Sequence, residues 1–439
     1  MKKHTQSPYE SSEISYKPSG IEWLGEIPQS WKIKPLQAIF NQRNEQNNNL
    51  EFQTILSLVK DVGVIPYEEK GNVGNKAKDD LQGYKIARVN DLVLNKMNAV
   101  IGSLGVSKYD GLVSPIYLVL YIENPNYLIA YYSYLFQTKS IQKFLRKFAY
   151  GIMEIRESID YLEFKKMFLP TPPLQEQKEI AEFLDKKCEK IQNFIDKKQK
   201  LITLLQEKKQ ALINEVVTKG LNPNIEFKNS GIAYLGLIPH HWEIKKLKYV
   251  GKVVLGKMLC NEHQKGYSHC YYLKSKNLQW LNVEVSQIEK MWFSEYEKSL
   301  YRIKKDDLLV SEGGEVGKTC IWNNELAECY IQNSVHKITL NKFNNAKFFL
   351  YLFFTYGKLG VFDSVVSRVS IAHLVLEKLV NVDMVVPPLQ EQKQIANFLD
   401  EKCEKINSAI EKTKRQIELI KEYKNTLINE AVCGRIRVN

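Results

Sequence analysis

The chain has 439 residues, with 62 Lys plus Arg against 50 Asp plus Glu, a formal net charge of +12. At about 150 residues per domain this length suggests two or three domains, and 44% hydrophobic residues with 26% charged exclude global disorder, collagen-like repeats and a disulfide-dense miniprotein. A pI near 9.0 favours an anionic partner, nucleic acid or an acidic membrane surface. Apolar stretches such as Tyr127–Phe136 and Phe348–Tyr356 fall short of the roughly 20 residues of a spanning helix. The basic start, Met1-Lys2-Lys3, lacks the apolar run of a signal peptide. Seven cysteines without framework spacing fit a reducing compartment, so a cytoplasmic location is expected.

In chain order, the first informative segment is Gly20-Ile-Glu-Trp-Leu-Gly-Glu-Ile-Pro-Gln-Ser-Trp31, because it returns as Gly231-Ile-Ala-Tyr-Leu-Gly-Leu-Ile-Pro-His-His-Trp242, 211 residues later. Pro172-Pro-Leu-Gln-Glu-Gln and the residues through Ile191 return at Pro387 through Ile406, and Leu212-Ile-Asn-Glu215 returns as Leu427-Ile-Asn-Glu430, both at an offset of 215. The chain is therefore a tandem duplication, and each copy is long enough to hold its own core. Between these frames the copies diverge. Faint echoes remain: Asn90-Asp91-Leu-Val-Leu94 against Asp306-Asp307-Leu-Leu-Val310, and Arg156-Glu-Ser-Ile159 against Arg368-Val-Ser-Ile371.

The divergent bodies read as α/β or α+β. Thr54–Val59, Leu112–Tyr121 and Cys329–Leu340 are rich in β-branched and aromatic residues and predict strands; Tyr127–Phe144 and Ala346–Leu359 predict helices. After Pro172-Pro173 no Pro or Gly occurs until Gly220, and the second copy is clear from Pro388 to Gly434. A 3.5-residue spacing runs from Leu184 through Cys188, Ile191, Ile195, Lys198, Ile202, Leu205, Lys209 and Leu212 to Val216. In the second copy it runs from Leu399 through Cys403, Ile406, Ile410, Thr413, Ile417, Ile420, Lys424 and Leu427 to Ala431. Eight of ten positions are apolar in each, as a coiled-coil seam requires. Gln175–Thr218 as one helix would be about 66 Å long. A helix packed only on its own body is the alternative, but a seam this narrow favours helix on helix, and an antiparallel pair with pseudo-twofold symmetry is expected. The expected division is bodies at 1–171 and 221–386, with helices at 172–220 and 387–439.

No set of residues assembles a catalytic site. Ser311-Glu-Gly-Gly-Glu-Val-Gly-Lys-Thr319 resembles a P-loop, but Glu312 stands where the first Gly belongs, so a tight turn between strands is expected. Cys260, His263, His269 and Cys270 sketch a zinc site, yet they crowd one stretch that the first copy lacks, and no metal is expected. Asn124-Pro-Asn-Tyr127 reads as a turn, and Glu68-Glu-Lys70 as a common tripeptide. Basic and aromatic residues suited to DNA are Lys143, Arg146, Lys147, Tyr150 and Arg156 in the first body, and Lys304, Lys305, Lys318 and Arg368 in the second.

The repeated Gly-Ile-x-x-Leu-Gly-x-Ile-Pro-x-x-Trp segments, the Pro-Pro-Leu-Gln-Glu-Gln helix starts and the variable bodies resemble the specificity subunits of type I restriction–modification enzymes. Asn95–Pro115 and Ser311–Gly317 also look like that family's recognition domains, which adds Lys96 and Asn98 to the candidates. The resemblance implies that each body is a target recognition domain reading half of a bipartite site in double-stranded DNA. It implies that the helices are spacer and docking surface for two modification subunits, with restriction subunits joining them. The chain itself would be non-catalytic and bind no cofactor, while those partners would use S-adenosylmethionine, ATP and Mg. The alternatives are a stand-alone DNA-binding regulator or architectural protein, and a helical scaffold with no nucleic-acid role.

Overall fold

The computed structural model describes residues 15–60, 62–72, 76, 77, 80–151, 157–362 and 373–438. The chain divides into two compact units, Met1–Lys198 with Arg415–Asn439, and Gln199–Lys414. Two long helices, Leu174–Lys219 and Leu389–Val432, each contribute one part to each unit.

In the first unit, a hairpin of Tyr16–Pro18 and Glu26–Pro28 leads to Lys32–Pro35, which pairs antiparallel with Phe168–Thr171. The body thus opens and closes on one ladder. Between these strands lies a four-stranded antiparallel sheet in the order Asn41–Gln42, Tyr117–Tyr121, Leu92–Asn95, Leu104–Val106. The second unit repeats the plan. Phe227–Asn229 pairs with Leu237–Pro239, Glu243–Lys246 pairs with Asp383–Val386, and the sheet order is Gly251–Leu255, Val335–Leu340, Leu308–Ser311, Thr319–Ile321. The bodies therefore share their central sheet although within that sheet the noted sequence echo is the strand at Asn90–Leu94 and Asp306–Val310. Their additions differ among the described residues: three two-stranded pairs in the first unit, and in the second a three-stranded sheet of Glu289–Phe293, Ser268–Leu273 and Tyr330–Ile331 with one two-stranded pair, Leu278–Gln279 and Asn282–Val283.

Two segments expected as single strands are divided. Leu112–Tyr121 becomes Gly111–Val113 and Tyr117–Tyr121 in separate sheets, because Pro115 has no N–H for a ladder and the Tyr117 amide instead closes a turn onto the Ser114 carbonyl at 3.0 Å. Cys329–Leu340 becomes Tyr330–Ile331 and Val335–Leu340, with the Val335 amide closing a turn onto Gln332 at 2.9 Å. The helix expected over Tyr127–Phe144 is two, Ile129–Gln137 and Lys139–Leu145. Thr138 between them is extended, and its hydroxyl oxygen caps the second helix by accepting from the Ile141 amide, a role for which Thr is suited. Ala346–Lys358 follows expectation.

The long helices begin and end alike. The buried Gln177 accepts from the Leu128 amide at 2.8 Å and donates to the Pro172 and Asn126 carbonyls at 2.9 and 3.2 Å. Gln392 accepts from the Asn345 amide at 2.8 Å and donates to the Pro387 carbonyl at 2.8 Å and the Asn344 side chain at 3.3 Å. At the other ends, Gly220 and Gly434 follow with φ of +76° and +71°, the left-handed geometry that stops a helix. All twenty predicted seam positions are at least half-buried. In the first unit Ile180, Leu184 and Ile191 share a core with Leu427, Ile428 and Val432. In the second, Ile213, Val216 and Val217 share one with Ile395, Leu399 and Cys403. Within each unit the start of one helix therefore lies against the end of the other, so the pair is antiparallel. Among the described residues no helix is long and apolar enough to cross a membrane.

Candidate nucleic-acid interface

One end of each central sheet is built in the same way. Asn90 and Asp306 have φ of +70° and +69°, a conformation Asn and Asp tolerate through local hydrogen bonding. The following aspartates brace that turn: Asp91 accepts from the Arg88 amide at 2.9 Å and Asp307 from the Lys304 amide at 2.8 Å. Each strand then runs to the sheet end, where a loop begins at Lys96 or Glu312. There the Ile159 amide donates to the Lys96 carbonyl at 3.0 Å, and the Leu374 amide to the Glu312 carbonyl at 2.8 Å. The turns at Ser114 and Gln332 lie beside these loops, because Tyr117 pairs with Asn95 and Val335 with Ser311. Three segments thus meet at each sheet end: the loop after the strand, the turn before its neighbour, and the stretch leading back to the frame.

In the first unit this arrangement gathers most of the candidates. Lys96 is half-buried and Asn98 exposed. Lys143, Arg146 and Lys147 are exposed along Lys139–Phe148, which runs into the strand Ala149–Gly151 that holds Tyr150 and pairs with Glu157–Ile159. Lys147 is tied to Glu22 and lies 5.1 Å from the Phe144 ring centre. Arg156 falls outside the described residues, as does Arg368. A residue the sequence reading passed over belongs here: Lys85, whose ammonium donates to the Tyr117 carbonyl at 2.8 Å. Burial, and then the nearby charge of Lys96, push its pKa down. Two ammonium groups held this close make a local positive field suited to a phosphate. One lysine in a short strand carries no sequence signal.

The second unit gathers fewer. Lys318 ends the Gly-rich loop and pairs with Glu315 at 2.9 Å. The loop is a tight turn, with Gly314 and Gly317 at φ of +74° and +75° and the Ser311 amide bonded to the Lys318 carbonyl at 2.8 Å. A Cβ on Gly317 would come within 2.2 Å of the Phe362 ring. Lys304 and Lys305 are exposed but precede Leu308, which pairs with Ile338. They therefore lie at the opposite end of the sheet from Lys318. Beside the loop stand Gln332, Asn333 and Ser334, amide and hydroxyl side chains of the kind that reads base edges. Burial pushes the Glu312 carboxyl up, opposed by the charge of His373.

The other motifs have local roles. His263 and His269 both pack on Trp292, with ring centres 4.6 and 4.7 Å away, and the Trp292 amide donates to the Cys260 carbonyl at 3.0 Å. Glu68, Glu69 and Lys70 form a single 3₁₀ turn with Lys70 over the Tyr67 ring.

The family described as the type I restriction modification DNA specificity domain matches this chain twice, over residues 28–206 and 239–419. A Methanocaldococcus jannaschii protein provisionally named the type I restriction enzyme MjaX specificity subunit is 26% identical over 434 residues, 94% of this chain and 96% of its own. The type I restriction enzyme EcoBI specificity subunit of Escherichia coli is 29% identical over 136 residues, 31% of this chain and 28% of its own. Among solved structures, one from a study of complex assembly and conformational transition in a type I R-M system aligns with a TM-score of 0.70 at 14% identity, covering 92% of this chain and 98% of that one. The HsdS subunit from Thermoanaerobacter tengcongensis aligns at 0.53 and 15% identity, covering 93% and 98%.

Proposed function

The chain belongs to the type I restriction–modification DNA specificity family, and from that premise we propose that its two bodies each read one half of a bipartite DNA target. The observation that carries this reading is the sheet end built twice. The backbone bonds Ile159 to Lys96 and Leu374 to Glu312 are equivalent, while the side chains presented there differ. A constant support under unlike readers is what a two-part target requires. In the first body Lys85, Lys96 and the run Lys143–Lys147 offer charge to phosphates, with Asn98 free to reach a base. In the second, Lys318 and the Gln332–Ser334 turn take those roles, and Lys304 and Lys305 would meet the backbone elsewhere.

The partners in this reading are two modification subunits docked on the long helices, with restriction subunits joining them. Exposed apolar residues off the seam support docking: Phe194, Leu201 and Leu204 on the first helix, Leu419 and Tyr423 on the second. Methyl transfer and ATP-driven cleavage, with S-adenosylmethionine, ATP and Mg, belong to those partners. This chain is then a non-catalytic reader working in the cytoplasm.

The test is to replace Leu36–Pro170 with the corresponding body of another family member and map methylated adenines in cells carrying the complete system. One half of the methylated site should change and the other should not. Alteration of both halves, or of neither, overturns the reading.

A further inference from the structure

The two units end their long helices in the same way and then diverge. In the first, the chain passes Gly434 and continues along the core: Ile436 and Val438 are half-buried against it, while Arg435 and Arg437 are exposed. Arg435 pairs with Glu430 at 3.2 Å and donates to the Leu24 carbonyl at 3.3 Å. The Tyr16 hydroxyl closes onto the Gly434 carbonyl at 3.1 Å.

In the second unit the chain passes Gly220 and turns away, with every residue from Leu221 to Asn224 exposed. What it leaves is an open cleft of about 550 Å³ lined by Phe398, Phe227, Val216 and Leu221, with Glu215 and Lys219 at its rim. That volume lies within the roughly 300–1,000 Å³ of ligand clefts. By the duplication, Phe398 stands in the place of Phe183, Phe227 in that of Tyr16, and Glu215 in that of Glu430. Phe183 packs on the same core as Ile436 and Val438. Leu221 follows the helix-ending glycine where Arg435 does in the first unit, so Glu215 lacks the cation its counterpart holds; among the described residues it makes no ion pair.

We propose that this cleft is a docking site for an extended segment of a partner protein, an arginine followed by apolar residues at alternate positions. The first unit supplies the template for that chemistry, Arg435-Ile436-Arg437-Val438. The apolar side chains enter beside Phe398 and Phe227, and the arginine meets Glu215. This site is separate from DNA reading and does not rest on it.

The probe is a fluorescent synthetic peptide with the sequence of residues 434–439, Gly-Arg-Ile-Arg-Val-Asn, titrated with the full chain. Saturable binding of one peptide per chain is expected. It should weaken about tenfold or more with Phe398→Asp, with Glu215→Lys, and with a peptide carrying Asp in place of Ile. Glu215 is exposed, so Glu215→Lys tests the site without disturbing the core, and a melting curve matching the parent checks the fold. Absence of saturable binding overturns the proposal. So does binding that survives both chain variants, which would place the peptide in the first unit by displacement of the tail. Equal affinity for a peptide with Ile and Val both replaced by Ser, a charge-only association, overturns it as well.

Discussion

At the start of each long helix the two copies share a buried glutamine with the same two main bonds, whereas at the turn that opens each central strand they share the aspartate-to-amide bond and part in the aspartate's outer partner. Gln177 and Gln392 each accept from one half-buried amide and donate to the proline carbonyl five residues back. Asp91 and Asp307 brace equivalent backbone turns, but Asp91 is held by Arg43 through bonds of 2.6 and 3.1 Å, and Asp307 by the Thr339 hydroxyl at 2.5 Å. The contrast separates two demands. Where the bodies meet the helices, the glutamine side chain is itself the link and is the same in both copies. At the turn that opens each central strand, the bond from aspartate to backbone amide holds the shape, and the aspartate's outer partner is free to vary.

The largest expected effects test the first half of that statement. Gln177→Leu or Gln392→Leu would leave a half-buried amide, the proline carbonyl and one further acceptor, the Asn126 carbonyl or the Asn344 side chain, without that partner, costing about 2–4 kcal/mol in the unit concerned. The two variants should match within about 1 kcal/mol by denaturant titration or by hydrogen exchange of the affected unit. A clear inequality would mean the copies are alike in geometry and not in energy.

Next comes the divergent turn. Asp91→Asn removes a buried charge that pairs with Arg43 and should cost about 2 kcal/mol. Asp307→Asn should cost about half as much, because burial already pushes the Asp307 carboxyl up and a neutral amide relieves that strain on the charge. Equal losses would show that the outer partner matters less than the backbone bond.

A pH effect should follow in the second unit alone. His336 is buried, its Nε2–H donates to the Leu374 carbonyl at 2.7 Å, and its Nδ1 has no partner among the described residues. Burial pushes its pKa below the ordinary 6.5. The unfolded chain binds a proton below about pH 6.5 and the folded chain does not. Stability is therefore lost as pH falls from about 6.5 toward the folded value, at up to about 1.4 kcal/mol per unit. Leu118 occupies the matching strand position in the first body. His336→Leu should flatten the slope measured between pH 7 and 5.5; an unchanged slope would assign the dependence to another group.

The smallest effect concerns the seam. Thr413 is buried there and its hydroxyl bonds back to the Ala409 carbonyl at 2.7 Å. Thr413→Val should raise stability by less than about 1 kcal/mol in thermal melts, and a loss would show that the hydroxyl has a use beyond its own helix.

Legibility in the sequence follows the same contrast. Residues that are themselves the link repeat in both copies, so Trp31 and Trp242, Gln177 and Gln392, and the whole seam could be read directly. The shared sheet could not, because it is held by backbone pairing that most residues satisfy. Pro115 and Asn333 divide apparently continuous strands through turn geometry that composition alone does not reveal. Lys304 and Lys305 stand close to Lys318 in the sequence, and strand direction carries them to the opposite end of the sheet, which composition does not reveal. Lys85 was missed because its significance arises from Lys96 and the Tyr117 carbonyl, brought beside it only by folding.

The first unit draws on both ends of the chain, Met1–Lys198 and Arg415–Asn439, while the second is the uninterrupted stretch Gln199–Lys414. During synthesis at roughly 5–20 residues per second, the amino-terminal body leaves the ribosome first and then waits roughly 10–40 s for the residues that complete its core. Leu427, Ile428 and Val432 belong to that core, and the Val432 carbonyl accepts from the buried Tyr131 hydroxyl at 2.8 Å. Through that interval Ile180 and Leu184 present an apolar face with no helix against it, the kind of surface chaperones hold. A premature stop just before Arg415 would therefore injure the half of the protein made first and spare the half made last.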